Sequence, residues 1–323
     1  MKFAIKICVA FLCIAAFQSA GAQSYPVRPI RLVMPLAPGS SSVDILGRAL
    51  GQHLSEALGQ SIVTDYRPGA AGNIGSMIAA KAAPDGYTLL IGYTSATMIS
   101  PTVYPNPGYD PVTDLAPIAR MAVIPYVIVA HPSVQATTVK ELIALAKGRP
   151  GQLNYASAGS GGLPNLAAEL FKMSAQVDIV HVPYKGGALA ANDLVGGHVQ
   201  LYFTGITGMA PLIKAGKLRG IAVTTMERSP LMPALSTVHE SGLPGYDVAA
   251  ALGLLAPGKT PRPIVQRLYD ETAKVVNAAE MKNFIVMQGA EPALMDPAQF
   301  GSYIKAELSK WARVVKAANV KPE

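Results

Sequence analysis

Apolar residues in this chain fall in short runs, each followed by a turn and then by apolar positions three and four apart. The first run, 29–35 (PIRLVMP), has strand length. Beyond the small-residue segment Leu36-Ala37-Pro38-Gly39-Ser40-Ser41-Ser42, apolar residues recur at Ile45, Leu46, Ala49, Leu50, Leu54 and Leu58. That period predicts one buried helix face. Asp44 falls in the first turn, where it complements the positive helix end. Short strands are predicted over 61–65 and 87–92, the first followed by the glycine-rich segment 67–75 and a helix through Ala80. A second series opens with a strand over 125–130 and a helix over 139–147. It continues with a strand-like lead, 152–156, running into Ser157-Ala158-Gly159-Ser160-Gly161-Gly162 and a helical repeat. Further strands are predicted over 178–182 and 199–203, with a helix over 188–195 between them. A strand over 221–224 follows, then the Pro/Gly-rich segment 242–246 and a strand ending at Leu255. Two helices, 263–278 and 297–316, close the chain; too short to form a domain, they are expected to return to the first lobe.

Strands alternating with helices predict an α/β protein with parallel sheets and ligands at the carboxyl ends of strands. The two series match in one respect. Pro38-Gly39-Ser40-Ser41-Ser42 and Ala158-Gly159-Ser160-Gly161-Gly162 both stand where a strand exits and a helix starts. Two lobes, each presenting such a loop, predict a ligand cleft clamped from both sides. The boundaries read as 23–124 for the first part of lobe 1, 125–244 for lobe 2 and 245–323 for the return to lobe 1. A hinge is expected near Val123–Tyr126 and Gly245–Gly253.

The N-terminal residues predict export from the cytoplasm. The first residues carry Lys2 and Lys6, an apolar run from Ile7 to Phe17, and a small-x-small site at Ala20-Gly21-Ala22. This is the pattern of a secretory signal peptide over 1–22, cleaved after Ala22, and its apolar run is too short to span a bilayer. Cleavage would remove both cysteines, Cys8 and Cys13, leaving no disulfide, thiol nucleophile or Cys-ligated metal. The formal charge of +7 is scattered. No run interleaves Lys or Arg with aromatics as a nucleic-acid face would. Nor does a second stretch of 18 uninterrupted apolar residues predict a transmembrane helix.

Enzymatic chemistry finds little footing. Gly159-Ser160-Gly161 begins like a dinucleotide fingerprint, but Pro164 holds the third glycine position; a P-loop motif is absent. None of the loop serines sits in a G-x-S-x-G frame, although a secreted serine hydrolase remains the rival from another class. The five histidines lie far apart, and neither they nor the carboxylates form a metal or catalytic cluster. No cofactor or metal is expected. An anion-binding role fits the loops better. A helix N-terminus carries unsatisfied N–H groups and about half a positive charge. Glycine and serine let a ligand approach that backbone, with hydroxyls as added donors. The alternative, a tight turn before a helix, stays open on these residues alone.

Several ordered stretches resemble one family. They are Tyr25-Pro26-Val27-Arg28-Pro29-Ile30-Arg31, the segment from Arg67 to Gly75, Ala83-Pro84-Asp85-Gly86-Tyr87-Thr88-Leu89-Leu90 and Leu153-Asn154-Tyr155-Ala156-Ser157. Further along come His181-Val182-Pro183-Tyr184-Lys185-Gly186, the stretch from Ile213 to Arg219, and Gly253-Leu254-Leu255-Ala256-Pro257. Together they resemble the Bug-type solute-binding proteins of tripartite tricarboxylate transporters, from Tyr25 to the C-terminus. The resemblance implies a periplasmic, monomeric, non-enzymatic receptor with a two-lobed Venus flytrap (type II periplasmic-binding-protein) fold. It also implies a small mono-, di- or aromatic carboxylate as ligand and membrane permease subunits as partners. A sensory receptor docking on a membrane sensor kinase is the alternative. Carried onto this chain, the first-lobe contacts are Leu36, Gly39, Ser40, Ser41 and Ser42, with Tyr93, Thr94 and Ser95 at the next strand exit. The second-lobe contacts are Ser157, Ser160, Gly161, Gly162 and Asn165, with Thr204 and Gly205 at a later strand exit. The first loop departs from the family's usual Pro-Phe-x-x-Gly-Gly at Leu36 and Ser40, and Thr204–Gly208 lacks the expected Asn/Asp-Pro. Lys185 and Arg67 are expected to serve structure or surface rather than the ligand.

Overall fold

The computed structural model describes residues 25–39 and 41–321. The expected leader with its cleavage point, both cysteines and Ser40 lie outside the described residues. In the first sheet β1 (Ile30–Met34) runs parallel to β2 (Ile62–Tyr66) and β3 (Thr88–Tyr93). The helix between β1 and β2, α1 (Ser42–Leu58), buries Val43, Leu46, Leu50, Leu54 and Leu58 and stops at Gly59, which takes the left-handed conformation (φ +67°). A stripe at that spacing can form only one continuous face. A short 3₁₀ turn (Ala70–Gly72) leads into α2 (Asn73–Ala80), and β3 exits into a π-helical turn over Thr94–Ile99 followed by α3 (Ser100–Val103).

The chain then enters β4 (Leu115–Ala130), a 16-residue strand that takes part in two sheets. Its first part, from Leu115 to Pro125, pairs antiparallel with β9 (Ala249–Pro257) and carries β10 (Glu291–Met295). From Tyr126 onward it pairs antiparallel with β7 (Leu201–Gly205) and, from Val127, with β8 (Arg219–Val223). β5 (Asn154–Ser157) lies parallel between β7 and β6 (Val180–Pro183). The sheets are therefore mixed rather than all parallel. β9 enters the first sheet directly from the other lobe, with no helical crossover to reverse its direction, so it joins antiparallel.

Helices α4 (Val139–Gly148), α5 (Leu163–Ala175), α6 (Gly187–Val195) and α7 (Ile206–Lys214) belong to the second series. Thr138 caps α4 by accepting the N–H of Glu141, one of the orphan donors of a first helical turn. The C-terminal part holds α8 (Arg262–Asn277), α9 (Ala279–Met287), β10 and α10 (Pro297–Ala317). The sequence pattern predicts only two helices there and leaves α7 unassigned. Gly208 and Pro211 inside α7 disguise it as a loop, and α9 follows α8 after the single residue Ala278. α10 begins with a full capping box, Asp296 with Gln299, and Pro297 in the first turn.

α8 packs on α1 and β4. α10 carries an apolar stripe of Phe300, Ile304, Trp311, Val314 and Val315, and packs on β4, the π-helical turn and α3, and on α5 of the other lobe. At 1.5 Å per residue such a helix is about 30 Å long, enough to reach both. Trp311 is fully buried, and its indole N–H donates to Glu307 at 2.8 Å. Tyr155, Phe171, Phe203 and Tyr246 pack edge-on or tilted against one another.

Candidate ligand cleft

Two walls of small, uncharged residues face one another across a cleft of about 290 Å³. The second-lobe wall is Ala158, Gly159, Ser160, Gly161 and Gly162, the turn from β5 into α5. The first-lobe wall is Ala71, Ser95, Ser100, Val103 and Tyr104, from the 3₁₀ turn, the π-helical turn and α3 with the residue after it. No lysine, arginine, histidine or carboxylate among the described residues lines it. Among the described residues, none of the chain's side chains supplies a cluster able to hold a metal ion.

The second-lobe loop is shaped from beneath by side chains. Ser157 is fully buried. Its hydroxyl donates to the Gly159 carbonyl at 2.8 Å, accepts the Gly159 N–H at 3.2 Å and lies 2.6 Å from His181 Nε2. These bonds close the turn and let Gly159 take φ +133°. Asn165, in the first turn of α5, accepts the Gly161 N–H at 3.0 Å and donates to Tyr155 Oη at 2.8 Å. Tyr155 in turn donates to Glu169, which pairs with Lys172. Burial first, and then Glu169, push the Tyr155 pKa well up, so the phenol stays a donor. Gly161 has φ +72°, and a Cβ there would stand 3.3 Å from Val320 and 3.7 Å from Val103. Only glycine fits both the conformation and the space. α5 itself has no side-chain cap, and Pro164 lies in its first turn, which leaves the positive end of the helix directed at the cleft.

On the other wall, Ala70 and Ala71 hold φ values of +47° and +53°. Left-handed alanines are costly, by roughly 1–2 kcal/mol each. The Ser100 hydroxyl, donating to Ala70 O at 3.2 Å, and the Gly72 N–H, donating to Gly69 O at 2.9 Å, secure them. Backbone held in such a conformation is concentrated at ligand sites, as are π-helical turns.

Of the expected contacts, Ser95, Ser160, Gly161 and Gly162 line the cleft. The others lie elsewhere or face inward. Leu36 is buried in the first-lobe core. The Gly39 N–H donates to Asp44 at 2.8 Å, Ser41 stands exposed as the N-cap of α1, and Ser42 donates to Gln288 O. Ser40 is not among the described residues. Tyr93 reaches Pro35 O at 3.4 Å, its pKa pushed up to about 12 by burial. Thr94 is buried and accepts the Ala251 N–H at 2.8 Å. Ser157 and Asn165 shape the loop from below, and Thr204 and Gly205 sit where β7 pairs with β4 beside the lobe junction. Lys185 is exposed, and Arg67 is engaged with Asp65 at 3.0 Å. Ala71, Ser100, Val103, Tyr104, Ala158 and Gly159 are lining residues the sequence reading does not count among the contacts. Ala158 and Gly159 lie within the loop it singles out. Val103 and Tyr104 carry no periodic signal, since α3 is a single turn.

The family model for the tripartite tricarboxylate transporter family receptor matches residues 46–320. The chain belongs to that family. Its relatives include protein BugT of Bordetella pertussis (strain Tohama I), 33% identical over 301 residues that cover 93% of this chain and 92% of BugT. Among solved structures, R. palustris Rpa4515 with adipate superposes with a TM-score of 0.77 at 36% identity, covering 93% of this chain and all of that one. The periplasmic binding protein BugD gives 0.74 at 32%, with 93% and 100% covered. As a member of this receptor family the chain has the two-lobed periplasmic-binding-protein fold, and its homologues are solute-binding proteins of the Bug type. The Ser157–His181 pair thus belongs to a receptor loop. Ser157 is fully buried and is not among the residues that line the cleft.

Proposed function

We propose that the receptor captures a small organic carboxylate between its lobes in the periplasm and delivers it to the membrane permease of a tripartite tricarboxylate transporter. The observation that carries this reading is the uncharged cleft: a helix N-terminus and glycine loop on one wall face hydroxyl-bearing side chains on the other. An acid held there is bound by dipoles and N–H or O–H donors rather than by a salt bridge. A hydrogen bond to a charged group contributes about 1.5–3 kcal/mol, so a few of them support roughly micromolar affinity. The adipate held by the R. palustris relative is of the same chemical class.

In this reading residues 1–22 are a leader cut after Ala22, and the mature chain is a monomer without cofactor. Lobe 1 is 23–124 with 245–323, lobe 2 is 125–244, and the lobes turn about the strand crossing at Pro125–Tyr126 and its return near Val248. Native mass spectrometry of freshly purified protein identifies any co-purified acid. Calorimetry with acids and their amides then tests the class: acids should bind at least about tenfold more tightly than their amides. An amide that binds as well as its acid would sink the reading.

A further inference from the structure

The cleft's lining carries information beyond the presence of an acid-binding loop. Among the described residues, two of its side-chain hydroxyls, Ser95 Oγ and Tyr104 Oη, have no hydrogen-bond partner within the protein, whereas Ser100 is engaged with Ala70 O. These donors and the α5 terminus line the same cleft. Elsewhere the first-lobe wall offers the methyl of Ala71, the isopropyl of Val103 and the ring of Tyr104. Val103 lies against the glycine of the opposite loop, with its Cγ1 3.7 Å from where a Gly161 Cβ would stand. A body extending from a carboxylate anchored on α5 therefore meets hydrocarbon. A second carboxylate there would leave water and lie against hydrocarbon, away from those donors, and such burial is unfavourable.

We infer that this receptor selects monocarboxylates with an uncharged, apolar tail, and that Val103 and Tyr104 are the residues that read the tail. The inference rests on the carboxylate reading proposed above and narrows it. It sets this chain apart from the R. palustris relative, whose ligand carries a carboxylate at each end. Tyrosine suits the position because its ring packs against hydrocarbon while its hydroxyl can reach the acid.

The test is calorimetry on two matched series, straight-chain monoacids and the α,ω-diacids of equal carbon number, with the monoamides as a third arm. Monoacid affinity should rise by roughly fourfold per added methylene until the cleft is filled, the value that burial of one CH₂ implies. Each monoacid should also bind at least about tenfold more tightly than its diacid. Val103→Lys should reverse that preference, and Tyr104→Ala should flatten the dependence on tail length; circular dichroism checks that both variants are folded. Diacids binding as well as monoacids, or monoacid affinity independent of tail length, would overturn the inference while leaving the carboxylate reading intact. Amides binding as well as acids, or neither acid series binding at all, would overturn both.

Discussion

Asn165 turns its amide inward, accepting from Gly161 and donating to Tyr155, and so fixes the loop without touching the cleft. Removing the amide leaves a glycine N–H without its acceptor and a buried phenol short of one donor. Asn165→Ala should therefore cost about 1–3 kcal/mol of stability, read from urea denaturation. It should also weaken acid binding severalfold, because the Gly161 turn loses its brace. A contact residue would instead show the binding loss with little change in stability. The role of such residues was half legible in the sequence. Glycine and serine at a helix start signal close backbone approach, and that loop does line the cleft. The direction of Asn165 was hidden, although its neighbours Leu163, Leu166 and Ala167 are all buried. A polar residue surrounded by core positions is held by internal bonds, which the periodicity of α5 could have suggested.

Elements of the first lobe are joined by a charged cluster across β1 and β2. Asp65 accepts from Arg31 Nε at 2.7 Å and from Arg67 Nε at 3.0 Å. Burial pushes the Asp65 pKa up, but the hydrogen bonds and charges of the two arginines outweigh it, and the net effect is a lowered value. A carboxylate whose pKa is depressed on folding adds stability above its unfolded pKa and loses it as pH falls through the folded value. Arg31→Ala should accordingly destabilise the protein at pH 7 by under about 1 kcal/mol, since the pair is partly exposed. The penalty should fade as pH falls below the unfolded carboxylate value and through the lowered folded one, where Asp65 becomes protonated in both states. Denaturant midpoints at pH 7 and along an acid series check this; a penalty that grows in acid would contradict it. At this scale most elements were readable from spacing, because amphipathic stripes such as that of α1 carry their own register. The first part of β4 was not, since Pro117 and Arg120 interrupt an apolar run that is paired along both edges.

Across the whole molecule the lobes meet again at the turn between α9 and β10. Thr207 at the start of α7 donates to Gly289 O at 3.2 Å, and Ser42 at the start of α1 donates to Gln288 O, also at 3.2 Å. Gly289 has φ +70°, and a Cβ there would come within 1.9 Å of Thr207 Oγ1. Gly289→Ala should therefore push α7 away and bias the lobes apart. Small-angle scattering should show a larger radius of gyration without ligand. The apparent dissociation constant should rise by roughly 3- to 10-fold, as expected when the binding-competent state is less populated. Unchanged scattering and affinity would mean that this turn has no part in closure. Two lobes were legible from the repeated strand-turn-helix series, but this contact was not, for it joins residues 82 positions apart.

The place of β9 between β3 and β4 has a consequence for the order in which the polypeptide is made. The first sheet begins with residue 30 yet lacks its middle strand until residue 257 has been synthesised. Until then the facing edges of β3 and β4 present unpaired N–H and C=O groups, the kind of open edge on which chains aggregate. The lobe that is translated first is thus the last to be completed, and the second lobe, whose strands all lie within β4 to β8, can close while the first still waits for its centre.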